Sequence, residues 1–140
     1  MCGLDAVDLI VNARPLGKAG MRPLTSRVAM LEAVASARPW LGVVVTDRLH
    51  LADIAEGYDV LVMGADKWAQ VLDLAYYRSE DERDAAVARL PTLAIAPRDG
   101  LSLPDRCIVL NVDPTLGTVS STAARAGRHD LVPPEARPFL

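Results

Sequence analysis

The stretch LGVVVTDRLHLADIAEGYDVLVMGADKWAQVL, residues 41 to 72, decides which fold class the sequence predicts. It opens with Leu41–Thr46, whose β-branched side chains are typical of a strand covered on both faces in a parallel sheet. Residues 47–57 leave room for one or two helical turns, and residues 59–63 form another apolar strand. Apolar side chains then recur at helical spacing, at Trp68, Val71, Leu72, Ala75 and Tyr76. Strands and helices in alternation indicate β-α-β units.

The same alternation extends towards the amino terminus. An apolar run at residues 6–13 ends at a turn and predicts a buried strand. A helix is expected to begin at a cap provided by Thr25 or Ser26 and to end before Pro39, because the residue that precedes a proline resists the helical region.

The alternation also continues towards the carboxyl terminus. The spacing Ser79-x-x-Glu82 is that of a capping box, in which each side chain bonds a backbone donor of the other residue, and it predicts a helix to about residue 90. Strands are predicted at residues 92–96 and 107–112, and a short helix is predicted to end at Gly127. The fold class is therefore α/β, with a parallel sheet and helices on both of its faces.

Length and composition exclude several classes of protein. The 140 residues suit one domain, and 51% hydrophobic with 24% charged residues is an ordinary globular balance. The net charge of −3 and the scattered basic residues exclude a dedicated nucleic-acid binder. No apolar run approaches the roughly 18 residues of a membrane-spanning helix, and acids precede any base at the amino terminus, unlike in a signal peptide. We expect a cytoplasmic protein with neither membrane nor nucleic-acid partners.

The cysteines and histidines are isolated from one another. Cys2 and Cys107 lack the spacing of a zinc site or a disulfide framework, so both are expected to be small apolar side chains. His50 and His129 are not paired with a nucleophile at a recognisable spacing, and both are expected at the surface. These residues predict no metal site.

The block VSSTAAR, residues 119–125, is the strongest candidate for chemistry. Its hydroxyls, Ser120, Ser121 and Thr122, stand at a predicted helix start, and Arg125 follows one turn later. Backbone N–H groups, hydroxyls and a guanidinium that converge in this way form a site for phosphate oxygens. The alternative is a plain helix cap with a solvated arginine, and the block by itself favours that alternative.

A second candidate follows the strand at residues 59–63. Gly64 would let a ligand approach the backbone, and the Asp66 carboxylate could accept hydrogen bonds from ribose hydroxyls. Lys67 could meet a phosphate, and Trp68 could stack on a base or pyridine ring. The alternatives are that Asp66 only caps the next helix and that Trp68 belongs to the core, which we favour for Trp68.

Basic residues between the first strand and its helix are a third candidate. Lys18, Arg22 and Arg27 could close on a substrate phosphate above the sheet, although most such loops are only solvated.

Taken in order, these pieces resemble the nicotinate/nicotinamide mononucleotide adenylyltransferases of the HxGH nucleotidyltransferase superfamily. The resemblance covers nearly the whole chain, and the Ser-Ser-Thr-x-x-Arg block is its most specific part. The matching pieces are VDLIV at residues 7–11, the lysine loop at Lys18, Arg27-x-x-Met30-Leu31, MGAD at residues 63–66, APRDG at residues 96–100, the block at residues 120–125 and LVP at residues 131–133.

The resemblance implies a Rossmann-like nucleotidyltransferase domain that transfers an adenylyl group from ATP to the phosphate of a mononucleotide, with Mg²⁺, and releases pyrophosphate. It implies that Ser120, Ser121, Thr122 and Arg125 hold the ATP phosphates and that Gly64 and Asp66 face the ribose. Lys18, Arg27 and Trp68 are possible further contacts to the substrate. Small nucleotides would be the partners, and family members often form homo-oligomers.

The chain departs from the family at two places. Family members begin with a strand and a Gly-x-Phe-Asp-Pro-x-His-x-Gly-His motif, and this sequence contains no such motif. The resemblance therefore implies a sheet that lacks the family's first strand, with the missing residues expected upstream of Met1. Residues 47–57 are shorter than the family's usual helix there, which leaves the acceptor open. A non-catalytic nucleotide-binding module and a plain structural α/β domain are the alternatives to an enzyme.

Overall fold

The computed structural model describes residues 3–15 and 19–140. In chain order its strands and α-helices are β1 (Val7–Asn12), α1 (Leu24–Ser36), β2 (Leu41–Thr46), α2 (Leu51–Ile54), β3 (Val60–Gly64), α3 (Ala65–Leu72), α4 (Glu80–Ala88), β4 (Thr92–Ala96), β5 (Ile108–Val109) and α5 (Ser121–Arg125). Short 3₁₀ segments lie at Leu74–Tyr76, Pro114–Thr118, His129–Leu131 and Pro134–Phe139. The predicted α/β class is confirmed.

The strands form two small parallel sheets. One has the order β1-β2 and the other the order β3-β4-β5, and every pair within them is parallel. The sequence predicted a single sheet, but among the described residues β1 and β3 each pair on one side only. The chain divides into two compact units, one containing His50–Gly117 and the other containing Gly3–Leu49 and Thr118–Leu140. The single domain predicted for residues 1–140 stays a prediction.

The unit His50–Gly117 is built on the three-stranded sheet. One sheet face packs against α3, and the buried core consists of Met63, Ala65, Trp68, Val71, Leu93 and Ile95. The predicted apolar stripe of the helix is correct at Trp68 and Val71 but wrong beyond them. The helix ends at Leu72 because Asp73 is extended and its carboxylate accepts the Ala75 N–H at 2.9 Å, which starts a 3₁₀ turn.

The predicted capping box of α4 is half formed. The Ser79 hydroxyl accepts the Glu82 N–H at 3.2 Å, as expected of the cap. In return, the Glu82 carboxylate accepts the N–H of Arg78 at 2.8 Å rather than that of Ser79, because Arg78 also brings its guanidinium to the same carboxylate. The predicted helix is confirmed, but only one of the two reciprocal bonds of its capping box is formed.

Strand β5 is much shorter than the six residues predicted. It covers Ile108–Val109, and the Leu110 N–H adds one more bond to the Ile95 carbonyl at 2.8 Å. The chain then turns, because the Asp113 carboxylate accepts both the N–H and the hydroxyl of Thr115. This local side-chain bonding begins the 3₁₀ segment Pro114–Thr118, which lies beyond the predicted strand.

The other unit is built on β1 and β2, which pair in register from Val7↔Leu41 to Asn12↔Thr46. The prediction that β2 is covered on both faces is wrong, since Val44 and Val45 point to opposite faces and are 39% and 48% exposed. Helix α1 packs against β2 and against the segment Pro134–Phe139. Just beyond the end of α1, Arg38 Nη1 forms an ion pair of 3.4 Å with Glu135 Oε1 of that segment.

The caps of the helices in this unit differ from each other. The predicted cap of α1 by Thr25 or Ser26 is wrong: Pro23 is the cap residue, with no side-chain bond, and its carbonyl accepts the Arg27 N–H. Proline just before a helix has the extended backbone that a cap needs, so the helix starts earlier than the hydroxyls. At the end of α5, Gly127 has a φ of 109° and closes the helix as predicted.

Within the described part of the chain, every helix is too short or too polar to cross a membrane.

Candidate functional site

The hydroxyl block forms the start of α5. The Ser120 hydroxyl accepts the N–H of Ala123 at 3.0 Å, so the expectation that a serine caps this helix is confirmed. Ser121 and Thr122 are exposed and no described residue hydrogen-bonds their hydroxyls. The block thus presents two uncommitted hydroxyls beside a capped turn.

Arg125 and Arg128 lie three residues apart and have different surroundings. Arg125 is exposed and has no ion pair with any described residue. Arg128 makes two hydrogen bonds of 3.0 Å to the Asp130 carboxylate, and these lower the pKa of Asp130. The charge of Arg128 is therefore compensated within the fold, whereas the guanidinium of Arg125 has no carboxylate partner among the described residues.

The second candidate lies at the carboxyl edge of the three-stranded sheet. The space above Gly64 is not open, because a β-carbon placed there would lie 2.5 Å from Asp66 Oδ1. A side chain at position 64 would therefore require the Asp66 carboxylate to move, and the ligand role predicted for Gly64 stays a prediction. The prediction that Asp66 caps α3 is wrong: the helix begins at Ala65, Gly64 is the cap, and no side chain bonds there.

Asp66 lies beside an arginine from the neighbouring strand connection. Arg98 follows β4, and its Nη1 lies 3.7 Å from Asp66 Oδ2, with side-chain exposures of 51% and 60% for the arginine and the aspartate. The sequence did not predict this contact. Both residues lie in pieces that match the resembled family, and both follow strands predicted to lie in one parallel sheet, whose carboxyl ends share an edge.

Trp68 is 7% exposed and belongs to the core, which confirms the interpretation favoured for it. Lys67 is exposed, and its ammonium donates to the Gln70 side chain at 2.8 Å. The stacking role considered for Trp68 and the phosphate role considered for Lys67 stay predictions.

The basic residues after β1 make contacts within the fold. Arg27 donates to the carbonyls of Asn12 at 3.1 Å and Arg22 at 3.2 Å, and so joins the end of β1 to the start of α1. Arg22 donates through Nη1 to the Phe139 carbonyl. Lys18 lies outside the described residues.

The candidate residues are divided between the two units. One unit contains the residues expected at the nucleoside, which are Gly64, Asp66 and Trp68, and the other contains Arg27 and the residues expected at the phosphates, which are Ser120, Ser121, Thr122 and Arg125. Within the first unit, Asp66 is brought together with Gly64 and Arg98. Within the second, the hydroxyls and Arg125 share one short helix.

The isolated histidines and the described cysteine differ in their burial and contacts. His50 is half-buried and stacks on Tyr77, with ring centroids 5.9 Å apart, so the surface position expected for it is wrong, whereas His129 is exposed as expected. Cys107 is a free thiol that packs against the core, as expected, and Cys2 lies outside the described residues.

An open groove of about 840 Å³ lies at the amino ends of β4 and β5, the edge opposite to Asp66. Most of its lining is apolar, including Leu72, Leu90, Leu103 and Cys107. Across residues 3–15 and 19–140, no three His, Cys, Asp or Glu side chains are grouped so as to hold a metal ion.

No protein-family model, curated protein or solved structure matches the chain.

Proposed function

We propose that this chain is the larger part of a nucleotidyltransferase domain that resembles the nicotinate/nicotinamide mononucleotide adenylyltransferases. Its reaction would transfer an adenylyl group from ATP to the phosphate of a pyridine mononucleotide or a similar acceptor, as in NAD biosynthesis. The observation that carries the proposal is the hydrogen bonding and exposure of the block at residues 120–125. One hydroxyl caps the helix, and the remaining donors are exposed and uncommitted among the described residues.

The donors of this block suit phosphate oxygens. Ser121 and Thr122 each have a hydroxyl hydrogen to give, and Ser120 keeps its own hydroxyl hydrogen even though its oxygen accepts from Ala123. Arg125 adds a guanidinium, whose charged N–H groups form the stronger hydrogen bonds to phosphate. Together they supply donors and positive charge and no competing carboxylate.

The strand orders support a Rossmann-like sheet that lacks its first strand. The usual order in that sheet is third, second, first, fourth, fifth and sixth. Without its first strand, that order separates into third-second and fourth-fifth-sixth. The observed orders β2-β1 and β3-β4-β5 match these two pieces. Each sheet taken by itself has the internal order that this proposal requires.

The proposed reaction is an in-line displacement at phosphorus. An oxygen of the acceptor phosphate bonds to the α-phosphorus of ATP while the bond from that phosphorus to the bridging oxygen breaks, and pyrophosphate leaves with the electron pair. Mg²⁺ bound to the nucleotide would neutralise part of the phosphate charge. The chain's hydroxyls and Arg125 would hold the phosphates in line, and positioning of this kind supplies much of the catalysis.

We further propose that the protein works in the cytoplasm, where ATP and pyridine mononucleotides are present, and that small nucleotides are its partners. Self-association as a homo-oligomer belongs to the same proposal because family members often form oligomers.

Pyrophosphate release tests the function directly. The full chain is incubated with ATP, Mg²⁺ and either nicotinate or nicotinamide mononucleotide, and Arg125→Ala is compared with Arg128→Ala. We expect release by the parent chain, at least a roughly tenfold loss in Arg125→Ala and little loss in Arg128→Ala, since Arg128 is already paired with Asp130. Equal rates in both variants, or no release, would count against an adenylyltransferase.

The alternative is a non-catalytic nucleotide-binding remnant, favoured by the absence of any His-x-Gly-His sequence from the chain. It predicts that ATP raises the melting temperature of the parent chain but not of Arg125→Ala, with no pyrophosphate formed. A structural domain would show neither effect.

A further inference from the structure

Strand β2 has an unprotected outer edge. Among the described residues it pairs with β1 alone, so its other edge ends the two-stranded sheet. That edge is six residues long, from Leu41 to Thr46, and carries no charged side chain. By comparison, β1 carries Asp8, β3 is five residues long and β5 is two. Charges and very short strands are the devices that keep sheet edges from pairing, and β2 has neither.

Two hydrogen bonds determine which backbone groups of β2 point outward. The Trp40 carbonyl accepts the Val7 N–H at 2.9 Å, and the Thr46 carbonyl accepts the Ala13 N–H at 2.8 Å. Successive residues of a strand direct their backbone groups to opposite edges, so the even-numbered residues bond β1. The odd-numbered residues of β2 therefore direct their N–H and C=O groups away from β1.

The odd-numbered residues of β2 are Leu41, Val43 and Val45. The Leu41 N–H donates to the Arg38 carbonyl at 2.9 Å and is therefore committed within the chain. No described residue forms a backbone hydrogen bond with the N–H or C=O groups of Val43 and Val45. Two donors and two acceptors thus lie in one row without partners, and groups of this kind are normally satisfied in a folded protein.

Exposed apolar side chains accompany these backbone groups. Val44 and Val45 are both exposed, and Trp40, the residue just before β2, is 52% exposed. An added strand suits such an edge, because its backbone completes the hydrogen bonds while its side chains cover the apolar ones.

We infer that the outer edge of β2 is a self-association surface, on which β2 of a second copy pairs antiparallel about a twofold axis at Val44. The product is a four-stranded sheet in the order β1-β2-β2-β1. Twofold contacts are the commonest in oligomers and use the same surface of both copies. The inference rests on the proposed function only for the expectation of a homo-oligomer, because its geometry involves no nucleotide.

An axis at Val44 uses every outward backbone group of the two neighbouring valines. It places Val43 opposite Val45 of the second copy, and each of these pairs exchanges two N–H···O=C hydrogen bonds. An axis at Val43 would place Val45 opposite Leu41, whose N–H is already bonded to the Arg38 carbonyl. It would therefore leave the Val45 carbonyl without a donor.

The charged residues that flank the strand agree with an axis at Val44. That axis places Arg48 of each copy opposite the exposed Trp40 of the other, and a guanidinium is attracted to the face of an indole ring. An axis at Val43 would instead place Arg48 opposite Arg38, and like charges directly opposite each other are destabilising. Charge complementarity thus supports a second copy of this strand as the occupant of the edge.

The oligomeric state of the full chain tests the inference. Sedimentation equilibrium over a range of concentrations should show the 15.0 kDa chain in equilibrium with a particle of twice that mass. Val44→Lys sets two ammonium groups opposite each other at the axis, so the dissociation constant of the dimer should rise at least about tenfold. Val62→Lys is the matched control: Val62 is an exposed strand valine of the other unit, and the dissociation constant should not change.

Disulfide cross-linking tests the register of the two strands. In a chain that carries Cys2→Ser and Cys107→Ser, Val44→Cys places one thiol of each copy directly opposite the other. The Cα atoms of such a pair, which exchanges no backbone hydrogen bonds, lie about 4.5 Å apart, a distance that a disulfide can span. Oxidised glutathione should therefore link Val44→Cys into a covalent dimer and leave Val62→Cys monomeric in the same background.

Three results would overturn the inference: a monomeric parent chain at every concentration, a dimer that Val44→Lys does not weaken, or a cross-link at Val62→Cys rather than at Val44→Cys. A monomeric chain that releases pyrophosphate would remove the interface and leave the transferase proposal. Failure of pyrophosphate release with the dimer intact would instead remove the transferase proposal and leave the β2 interface.

Discussion

At the scale of single residues, Gly64 links the end of a strand to the orientation of a carboxylate. Its φ is −82°, so its backbone conformation is open to any residue and does not require glycine. The Asp66 oxygen lies where a side chain at position 64 would begin, so such a side chain would require that carboxylate to move. Any constraint on this position therefore comes from the neighbouring carboxylate rather than from a strained backbone.

Gly64→Ala is expected to separate stability from ligand affinity. The new methyl group would displace the Asp66 carboxylate, which should weaken the ribose contact proposed for Asp66 and raise the dissociation constant of adenosine. The free energy of unfolding should change by less than about 1 kcal/mol, since a short side chain can rotate and alanine reduces the entropy of the unfolded chain. Urea unfolding and nucleoside titration measure the two effects.

Gly117→Ala is the matched control for that substitution. A β-carbon there would have no atom within 4 Å, so neither stability nor the affinity for adenosine should fall. A large loss of stability in Gly64→Ala, or an unchanged affinity for adenosine, would contradict this prediction.

At the scale of elements, the start of α4 depends on the pair formed by Arg78 and Glu82. The Arg78 guanidinium and backbone N–H both donate to the Glu82 carboxylate, and these bonds hold the pKa of Glu82 below its ordinary value. A carboxyl whose pKa is lowered on folding stabilises the folded state when it is ionised. That contribution is complete above the pKa of an unfolded glutamate, roughly 4.3, and is lost as the pH falls through the lower pKa of the folded state.

Glu82→Gln should therefore flatten the pH dependence of the free energy of unfolding between roughly pH 5 and pH 3. The glutamine does not ionise, so the proton uptake that accompanies unfolding of the parent chain at this site disappears. Urea unfolding at a series of pH values measures the slope. Arg78→Ala should flatten it in the same way, and the double variant should add little; a slope unchanged in both single variants would contradict the assignment.

Elements were predictable from the sequence where periodicity or a local cap determines them. The β2 and β4 bounds follow from apolar runs, and the Ser79 and Ser120 caps follow from short spacings. The end of α3 was not predictable from its apolar stripe, because the hydrogen bond from the Ala75 N–H to the Asp73 carboxylate competes with the helix.

The candidate site was predictable only in part. Asp66 was predictable as a residue that follows a strand, but its contact with Arg98 depends on strand register, which one sequence does not reveal.

At the scale of the whole molecule, buried apolar side chains are unevenly divided between the two units. Among the described residues, the unit with the two-stranded sheet buries only Val11 and Ala136. The unit with the three-stranded sheet buries the aromatic Trp68 and the fully enclosed Ile95 together with its other core side chains. Apolar burial is the main source of stability, so the two units are expected to open with different free energies.

Native-state hydrogen exchange tests this expectation strand by strand. Amides of β3 and β4 should exchange with the highest opening free energies, and those of β1 and β2 should exchange at lower ones. Val11→Ala should accelerate exchange in β1 and β2 alone, and Ile95→Ala should accelerate it in β3 and β4 alone, because each substitution removes apolar contacts from one core. The opposite result would be equal opening free energies in all four strands, with each substitution accelerating exchange in all of them. It would mean that residues 1–140 unfold as the single domain predicted from the sequence, because a cavity in one core destabilises the other core only when both unfold in one cooperative step.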